Sequence, residues 1–291
     1  MAAPALGEAA RPPAEGRARV VLSRVSKGFG LDATREEVIA DLDFEIAPGE
    51  LTALVGPSGC GKTTIANLVA GYEKPDRGQI LLDGAPVRGA GSDRMLVFQE
   101  SALFPWLTTY RNVTFGLELA GRSAGAIRAE AMAVLQLVGL AAFADKYPAQ
   151  LSGGMQRRAE LARAMMMDPR LMIMDEPFRG LDAMTRELMQ EFFLRLFEQH
   201  RRTNLFITSE IEEAILLADR LVLLSNRPAT VRALIPITLP RPRSPAMLAS
   251  REAFDIKRQA LEILHEEALK SFSGESRDFV EGYAKRFHEG D

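Results

Sequence analysis

Leu51-Thr-Ala-Leu-Val55 runs directly into Gly56-Pro57-Ser58-Gly59-Cys60-Gly61-Lys62-Thr63-Thr64, and the fold is decided here. Leu51 to Val55 is a short apolar run, the length of a strand covered on both faces. The segment from Lys62 to Val69 has the length and spacing of a helix. Between them the glycines meet the phosphate-loop pattern in full, in the strand-loop-helix setting that its mechanism demands. Glycine lets the backbone curl until successive N–H groups point inward at a phosphate, and the helix N-terminus adds its dipole. Lys62 is expected to neutralise the β- and γ-phosphates, and the Thr63 hydroxyl to ligate Mg2+.

Outward from the loop, three more short apolar runs, Leu171 to Met174, Leu205 to Thr208 and Leu221 to Leu224, read as parallel strands separated by helices. The first ends in Asp175-Glu176-Pro177, two adjacent carboxylates at the carboxyl end of a parallel strand, where such sheets bind ligands. Asp175 is expected to hold Mg2+, directly or through water, and Glu176 to act as general base on the attacking water. Upstream, Arg19 to Val25 and Leu42 to Ile46 alternate apolar and polar residues before the Pro48-Gly49 turn, as strands of an antiparallel flap do. The chain therefore reads as an α/β protein of the P-loop NTPase class.

Between Leu103 and Met167 helical periodicity replaces the strand-like runs, so the α/β core carries a helical insertion. Ser123 is placed to cap a helix that gathers Ile127, Ala131, Leu135 and Val138 on one face. The core is expected to span residues 19–243. After the break at Pro240 to Pro245, helix-favouring sequence from Met247 to Phe272 and from Ser276 to His288 reads as a helical tail over residues 244–291. Within it, Ile256, Ala260, Ile263 and Leu264 form a stripe suited to packing on the core. Residues 1–18, rich in Ala, Pro, Gly and Arg, read as a disordered lead-in without the apolar core of a secretory signal.

Bulk properties narrow the function classes. With 291 residues and 47% hydrophobic composition, the chain can bury a sizeable core. A formal net charge of -3 gives nucleic-acid binding no support at the level of the whole chain. The single cysteine, Cys60, lies within the phosphate loop, which fits a reducing cytoplasm. No run of about 18 apolar residues is present, so work at a membrane requires a partner that spans it.

Leu151-Ser152-Gly153-Gly154-Met155-Gln156 precedes a helical run to Met167 and makes a second anion-binding helix start ahead of the paired carboxylates. This hexapeptide resembles the signature of ABC ATPases, and the resemblance extends from about Val20 to Arg243. It implies an ABC nucleotide-binding domain with a RecA-like core, an antiparallel β flap and an α-helical subdomain. A phosphate-loop kinase or small GTPase has no reason to carry such a hexapeptide. In the family two ATPase subunits meet head to tail around ATP, so Ser152, Gly153, Gly154 and Gln156 would serve nucleotide held by a second subunit, identical or different. Phe29 stands where an aromatic stacks on adenine. Gln99 matches the glutamine that contacts Mg2+ and the attacking water, and Asp182 lies in the loop that crosses to the opposite nucleotide.

Two positions depart from the family. Arg179 replaces a small residue, and Ser209, in Phe206-Ile-Thr-Ser209-Glu, occupies the place of a histidine that contacts the γ-phosphate. His200, His265 and His288 are not placed to substitute. Serine can offer a hydroxyl hydrogen bond but not a charged one. Three explanations stay open: slower turnover, pairing with a different ATPase subunit to give one weak and one strong site, and an ATP-binding switch.

Phe104-Pro-Trp106-Leu, Lys146-Tyr-Pro148, Leu181 to Arg186, and the run from Leu223 to Arg243 are similar to the nitrate, sulfonate and taurine import branch. This implies an importer with transmembrane permease subunits and a solute-binding protein, the ATPase lying peripherally on the cytoplasmic face of the membrane. Trp106 and its neighbours would form the partner surface. The competing class is a soluble ABC ATPase of DNA repair or translation, which usually joins two cassettes or inserts a long coiled coil; neither is present.

Overall fold

The computed structural model describes residues 17–270, apart from residues 32, 33, 101, 168 and 200. The phosphate-loop strand, β3 (Leu51–Val55), sits inside a six-stranded sheet of order β10-β9-β3-β8-β7-β6. Its companions are β6 (Arg94–Val97), β7 (Leu171–Asp175), β8 (Thr203–Ile207), β9 (Arg220–Leu224) and β10 (Val231–Pro236). All neighbours pair in parallel except β9 with β10.

The near-continuous apolar runs are explained by burial on both faces. Ala53, Met172, Met174, Phe206 and Leu221 point into one hydrophobic cluster, while Leu54, Leu171, Ile173, Leu205 and Val222 point into another. Alternation with period two thus feeds two cores rather than one core and solvent. The first core is closed by α5 (Ala183–Gln199), α6 (Ile211–Leu217) and α7 (Arg251–Leu269). The second is closed by α1 (Lys62–Ala70) and by a smaller antiparallel sheet of order β2-β1-β4-β5. That sheet is the expected flap, built from β1 (Val20–Phe29), β2 (Glu36–Ile46), β4 (Arg77–Leu82) and β5 (Ala85–Pro86).

The helical insertion has a core of its own. In α2 (Thr109–Leu119), α3 (Ala124–Leu137) and α4 (Gly153–Met167), Val113, Leu117, Ile127, Ala131, Leu135, Ala159, Ala162 and Met166 pack together. Ser123 caps α3 as expected, its hydroxyl accepting from Ala126 N. Buried Asn112 on α2 shapes the preceding loop: its side chain accepts from Phe104 N at 2.8 Å and donates to the carbonyls of Phe104, Leu107 and Thr108.

At the amino edge of the parallel strands, where α6 ends ahead of β9, buried Arg243 donates to the carbonyls of Ile215, Leu216 and Ala218 around the last turn of α6. Those carbonyls have no partners within the helix, and a cation there also complements the helix dipole. Ile256 and Ala260 of α7 are buried on the core, with Ile263 and Leu264 against it, as the tail stripe implied. The second tail segment, from Ser276, and His200 and His288 lie outside the described residues. So does the lead-in up to residue 16. Ala18, assigned to that lead-in by composition, belongs instead to the folded body: it is buried, its N donates to Thr203 Oγ1 at 3.1 Å, and its carbonyl accepts from the same hydroxyl at 2.6 Å.

Candidate functional site

Because β3, β8, β7 and β6 run in parallel, their carboxyl ends open on one edge of the sheet, and the phosphate loop, the paired carboxylates and the segments carrying Gln99 and Ser209 leave from it. Val55 leads to Gly56, Ile207 to Thr208-Ser209, Asp175 to Glu176, and Val97 to Phe98-Gln99. The sheet ladder continues past the strands: Thr208 N donates to Leu54 O at 3.3 Å and Glu176 N to Ile207 O at 2.8 Å. β8 therefore stands between the phosphate loop and the paired carboxylates, which are two strand spacings apart, about 10 Å.

The glycines are required for identifiable reasons. Gly61 has φ 116, and a Cβ there would meet Val38 Cγ1 at 2.9 Å. A Cβ on Gly56 would meet Leu224 Cβ at 2.9 Å and Cys60 Sγ at 3.0 Å. The loop is thus wedged between the flap and the central sheet. Lys62 is buried, and its Nζ donates to Gly56 O at 2.9 Å and Pro57 O at 3.1 Å, so the ammonium lies in the curl of the loop. Cys60 packs beneath, its thiol pushed up by burial, which leaves it an inert packing group.

Asp175 lies across this gap near the side chain of Thr63, whose hydroxyl favours its charged form. Burial raises its carboxyl above the ordinary value and the neighbouring Glu176 adds to this, while Thr63, Lys62 and Arg157 oppose it. A buried carboxylate beside a hydroxyl is an oxygen donor set suited to a small hard cation such as Mg2+. Glu176 is also buried and has φ 46, in the left-handed region.

The remaining expected residues surround this centre. Gln99 and Ser209 are exposed at the same edge. Phe29 ends β1 opposite Glu36, two residues along β2 from the Val38 that touches Gly61, and its ring is 43% exposed with Lys27 Nζ 5.2 Å from its centroid. An open aromatic face near the loop is available for stacking.

Ser152 and Gly153 are exposed at the mouth of α4, where Ser152 Oγ accepts from Met155 N at 3.3 Å. Gln156 turns inward and donates to Pro148 O at 2.9 Å, which holds the signature loop. Asp182 caps α5, accepting from Thr185 N at 3.0 Å, and the Thr185 hydroxyl together with this backbone N–H holds its carboxyl below the usual range. A Cβ on Gly154 would touch Thr185 and Leu181, so the signature and the Asp182 loop adjoin.

Two groups were not anticipated from the sequence. Arg157 is buried and reaches from α4 to the carbonyls of Phe98, Glu176 and Pro177. Glu213 on α6 accepts from Thr208 Oγ1 at 2.6 Å and Gln190 Nε2 at 2.8 Å, which fixes the residue just before Ser209. A charged residue on a helix face that is otherwise buried was the available sign of both.

Residues 39–179 match the family model described as ABC transporter. An uncharacterized ABC transporter ATP-binding protein of Methanocaldococcus jannaschii is 40% identical over 255 residues, 88% of this chain and 94% of that protein. The taurine import ATP-binding protein TauB of Pseudomonas entomophila is 47% identical over 210 residues, 72% of this chain and 80% of that protein. The dimeric structure of the ATP-binding cassette MJ0796 in a post-hydrolysis state, bound to ADP and Pi, superposes with a TM-score of 0.68 at 27% identity, covering 76% of this chain and 99% of that one. Likeness on this scale, centred on a phosphate loop facing paired carboxylates across one intervening strand, places the chain in the ABC transporter family as an ATP-binding subunit with ATPase activity.

Proposed function

We propose that the chain powers solute import of the nitrate, sulfonate or taurine type, working from the cytoplasmic face of a membrane through separate permease subunits fed by a solute-binding protein. The observation that carries this reading is the 47% identity to a taurine import ATP-binding protein over 72% of the chain. Among the described residues no helix is long and apolar enough to cross a membrane, which fits a separate permease. Trp106 is 70% exposed with its ring tilted against Phe104 at 5.5 Å between centroids, and Phe104 packs on Phe115, so the loop held by Asn112 offers an aromatic anchor for that partner. The relatives named above are transporter proteins, which leaves the repair or translation reading without support.

In this reading the ATPase domain runs from Ala18 to residue 243, with its helical subdomain at about 103–167 and the tail over 244–291. ATP lies on Gly56 to Thr64 with its base against Phe29. Thr63, Asp175 and Gln99 would hold Mg2+, which when bound supplies positive charge against the phosphates. A second ATPase subunit contributes its own Ser152, Gly153, Gly154 and Asp182 to the same nucleotide, an arrangement supported by the dimeric state of the MJ0796 cassette. Glu176 accepts a proton from water as the water oxygen attacks the γ-phosphorus. The bond from that phosphorus to the β–γ bridging oxygen breaks, Lys62 stabilises the charge that develops, and ADP and phosphate leave.

The test is reconstitution of the complete transporter in lipid vesicles. Taurine, an alkanesulfonate or nitrate, delivered by the binding protein, is expected to stimulate ATP turnover and to accumulate in the lumen. Glu176→Gln is expected to keep ATP binding and lose turnover, and Lys62→Ala to weaken ATP binding. Transport of none of these solutes by an assembly that hydrolyses ATP would refute the import assignment, and full turnover by Glu176→Gln would refute the role of that carboxylate.

A further inference from the structure

The backbone of Glu176 is immobilised from both sides. Its N donates to Ile207 O at 2.8 Å, and its carbonyl accepts from Arg179 N at 3.1 Å and from Arg157 Nη2 at 3.4 Å. What can still move is the side chain, and Glu176 Oε2 accepts from Arg179 Nη1 at 2.8 Å. The two ends of this ion pair differ: the Glu176 side chain is 10% exposed and the Arg179 side chain 64% exposed. A buried anchor with a partner in solvent is a tether that can be released, since the guanidinium recovers full hydration when it lets go and leaves no buried cation behind. Arg179 lies in a turn ended by Gly180 at φ 78, and a Cβ on Gly180 would meet nothing within 4 Å, so there is open space beside the arginine for its side chain to swing away.

We propose that Arg179 is a positioning residue for the hydrolytic carboxylate: its guanidinium draws Glu176 into a resting orientation, and the carboxylate is free to receive the proton of the attacking water only when that contact opens. The proposal rests on the reading of Glu176 as the base. One oxygen of a carboxylate committed to a charged donor is a poorer proton acceptor in both position and availability. The tether therefore acts on turnover and leaves nucleotide binding alone, because the phosphate loop contributes none of its contacts.

The experiment uses the assembled transporter carrying Arg179→Ala, Arg179→Lys, Glu176→Gln, or Arg179→Ala with Glu176→Gln. ATP turnover, KM for ATP, affinity for a fluorescent ATP analogue and melting temperature are measured for each. Arg179→Ala is expected to raise kcat by roughly two- to fivefold, the factor by which a solvent-facing ion pair biases an equilibrium, with KM and analogue affinity unchanged. Arg179→Lys keeps a cation in place and is expected to stay near the parent rate. The double variant is expected to match Glu176→Gln alone. A fall in kcat for Arg179→Ala, no change, or a change confined to melting temperature would each overturn the tether. Turnover by Glu176→Gln at the parent rate would instead remove the reading beneath it, so the two failures are told apart.

Discussion

Arg157 and Glu160, one helical turn apart on α4, form an ion pair of 2.8 Å with side chains only 7% and 2% exposed. Each partner also reaches outside the helix. The Arg157 guanidinium donates to Phe98 O, Pro177 O and Glu176 O, and the Glu160 carboxylate accepts from Ala102 N. The helix that begins at the signature is thereby fastened to the loop carrying Gln99 and to the turn carrying Glu176. Both charges are fully engaged, which is the condition under which a buried pair is tolerated.

Removal of the two partners together is expected to cost less than the two single removals summed. Glu160→Ala or Arg157→Ala should cost about 3–5 kcal/mol, because each leaves the other charge buried and uncompensated. Arg157→Met combined with Glu160→Leu should cost clearly less than the sum of the two alanine variants, with ATP turnover still reduced because the carbonyls of Phe98 and Glu176 lose their common donor. Urea unfolding of the four proteins decides the first point and turnover at matched folding the second. Additive losses would mean that the two side chains contribute independently.

The pH dependence of stability has a sign that Glu213 fixes. Burial pushes its carboxyl above the ordinary value of 4.5, against the hydrogen bonds from Thr208 and Gln190 that favour the charged form. A carboxyl whose value is raised in the folded state binds its proton more tightly there than in the unfolded chain. Its stabilising contribution is complete below pH 4.5 and is lost as pH rises through the raised value. Glu213→Gln removes that titration while keeping an acceptor for Thr208. The stability of the parent chain minus that of Glu213→Gln is therefore expected to shrink from about pH 4.5 towards neutrality, as read by urea unfolding at stepped pH. A difference that grows with pH would show that the ionised form is the one the fold prefers.

The phosphate loop, the strand ending in Asp175-Glu176 and the cap at Ser123 were legible because each is written within a dozen residues: apolar period, glycine or hydroxyl, apolar period. The stripe Ile256, Ala260, Ile263, Leu264 was legible for the same reason. The hairpin of β4 and β5 was not read, although Asp83-Gly84 marks its turn, because Arg77, Gly78 and Gln79 are exposed and show no alternation. β10 was also passed over; it lies at the sheet edge, with just Ile235 fully buried. Arg157 and Glu213 escaped because what defines them is distant in sequence. A polar residue on a helix looks solvated until the loop that covers it is known, and no local pattern supplies the carbonyls of Phe98 and Pro177.

Ser209 is exposed at the end of β8, between the phosphate-loop strand and the strand of the paired carboxylates. The residue before it is locked, with Thr208 N on Leu54 O and its hydroxyl on Glu213, and Glu210 N donates back to Thr208 Oγ1 at 3.0 Å. A change of side chain at 209 should therefore leave the backbone path intact. A serine hydroxyl can offer the transferring phosphoryl group a neutral hydrogen bond, whereas an imidazolium offers a charged one, roughly twice as strong. Ser209→His is expected to raise ATP turnover of the assembled complex by roughly tenfold, the equivalent of about 1.4 kcal/mol in the transition state, with ATP affinity little altered. An unchanged rate in an intact assembly would mean that Lys62, Glu176 and the bound cation already supply the stabilisation and that serine carries no catalytic cost. Counting the ATPase subunits of the purified transporter separates the remaining cases. Two copies of this chain make the gain act at both nucleotides, while a different second ATPase confines it to the site that this chain's phosphate loop supplies.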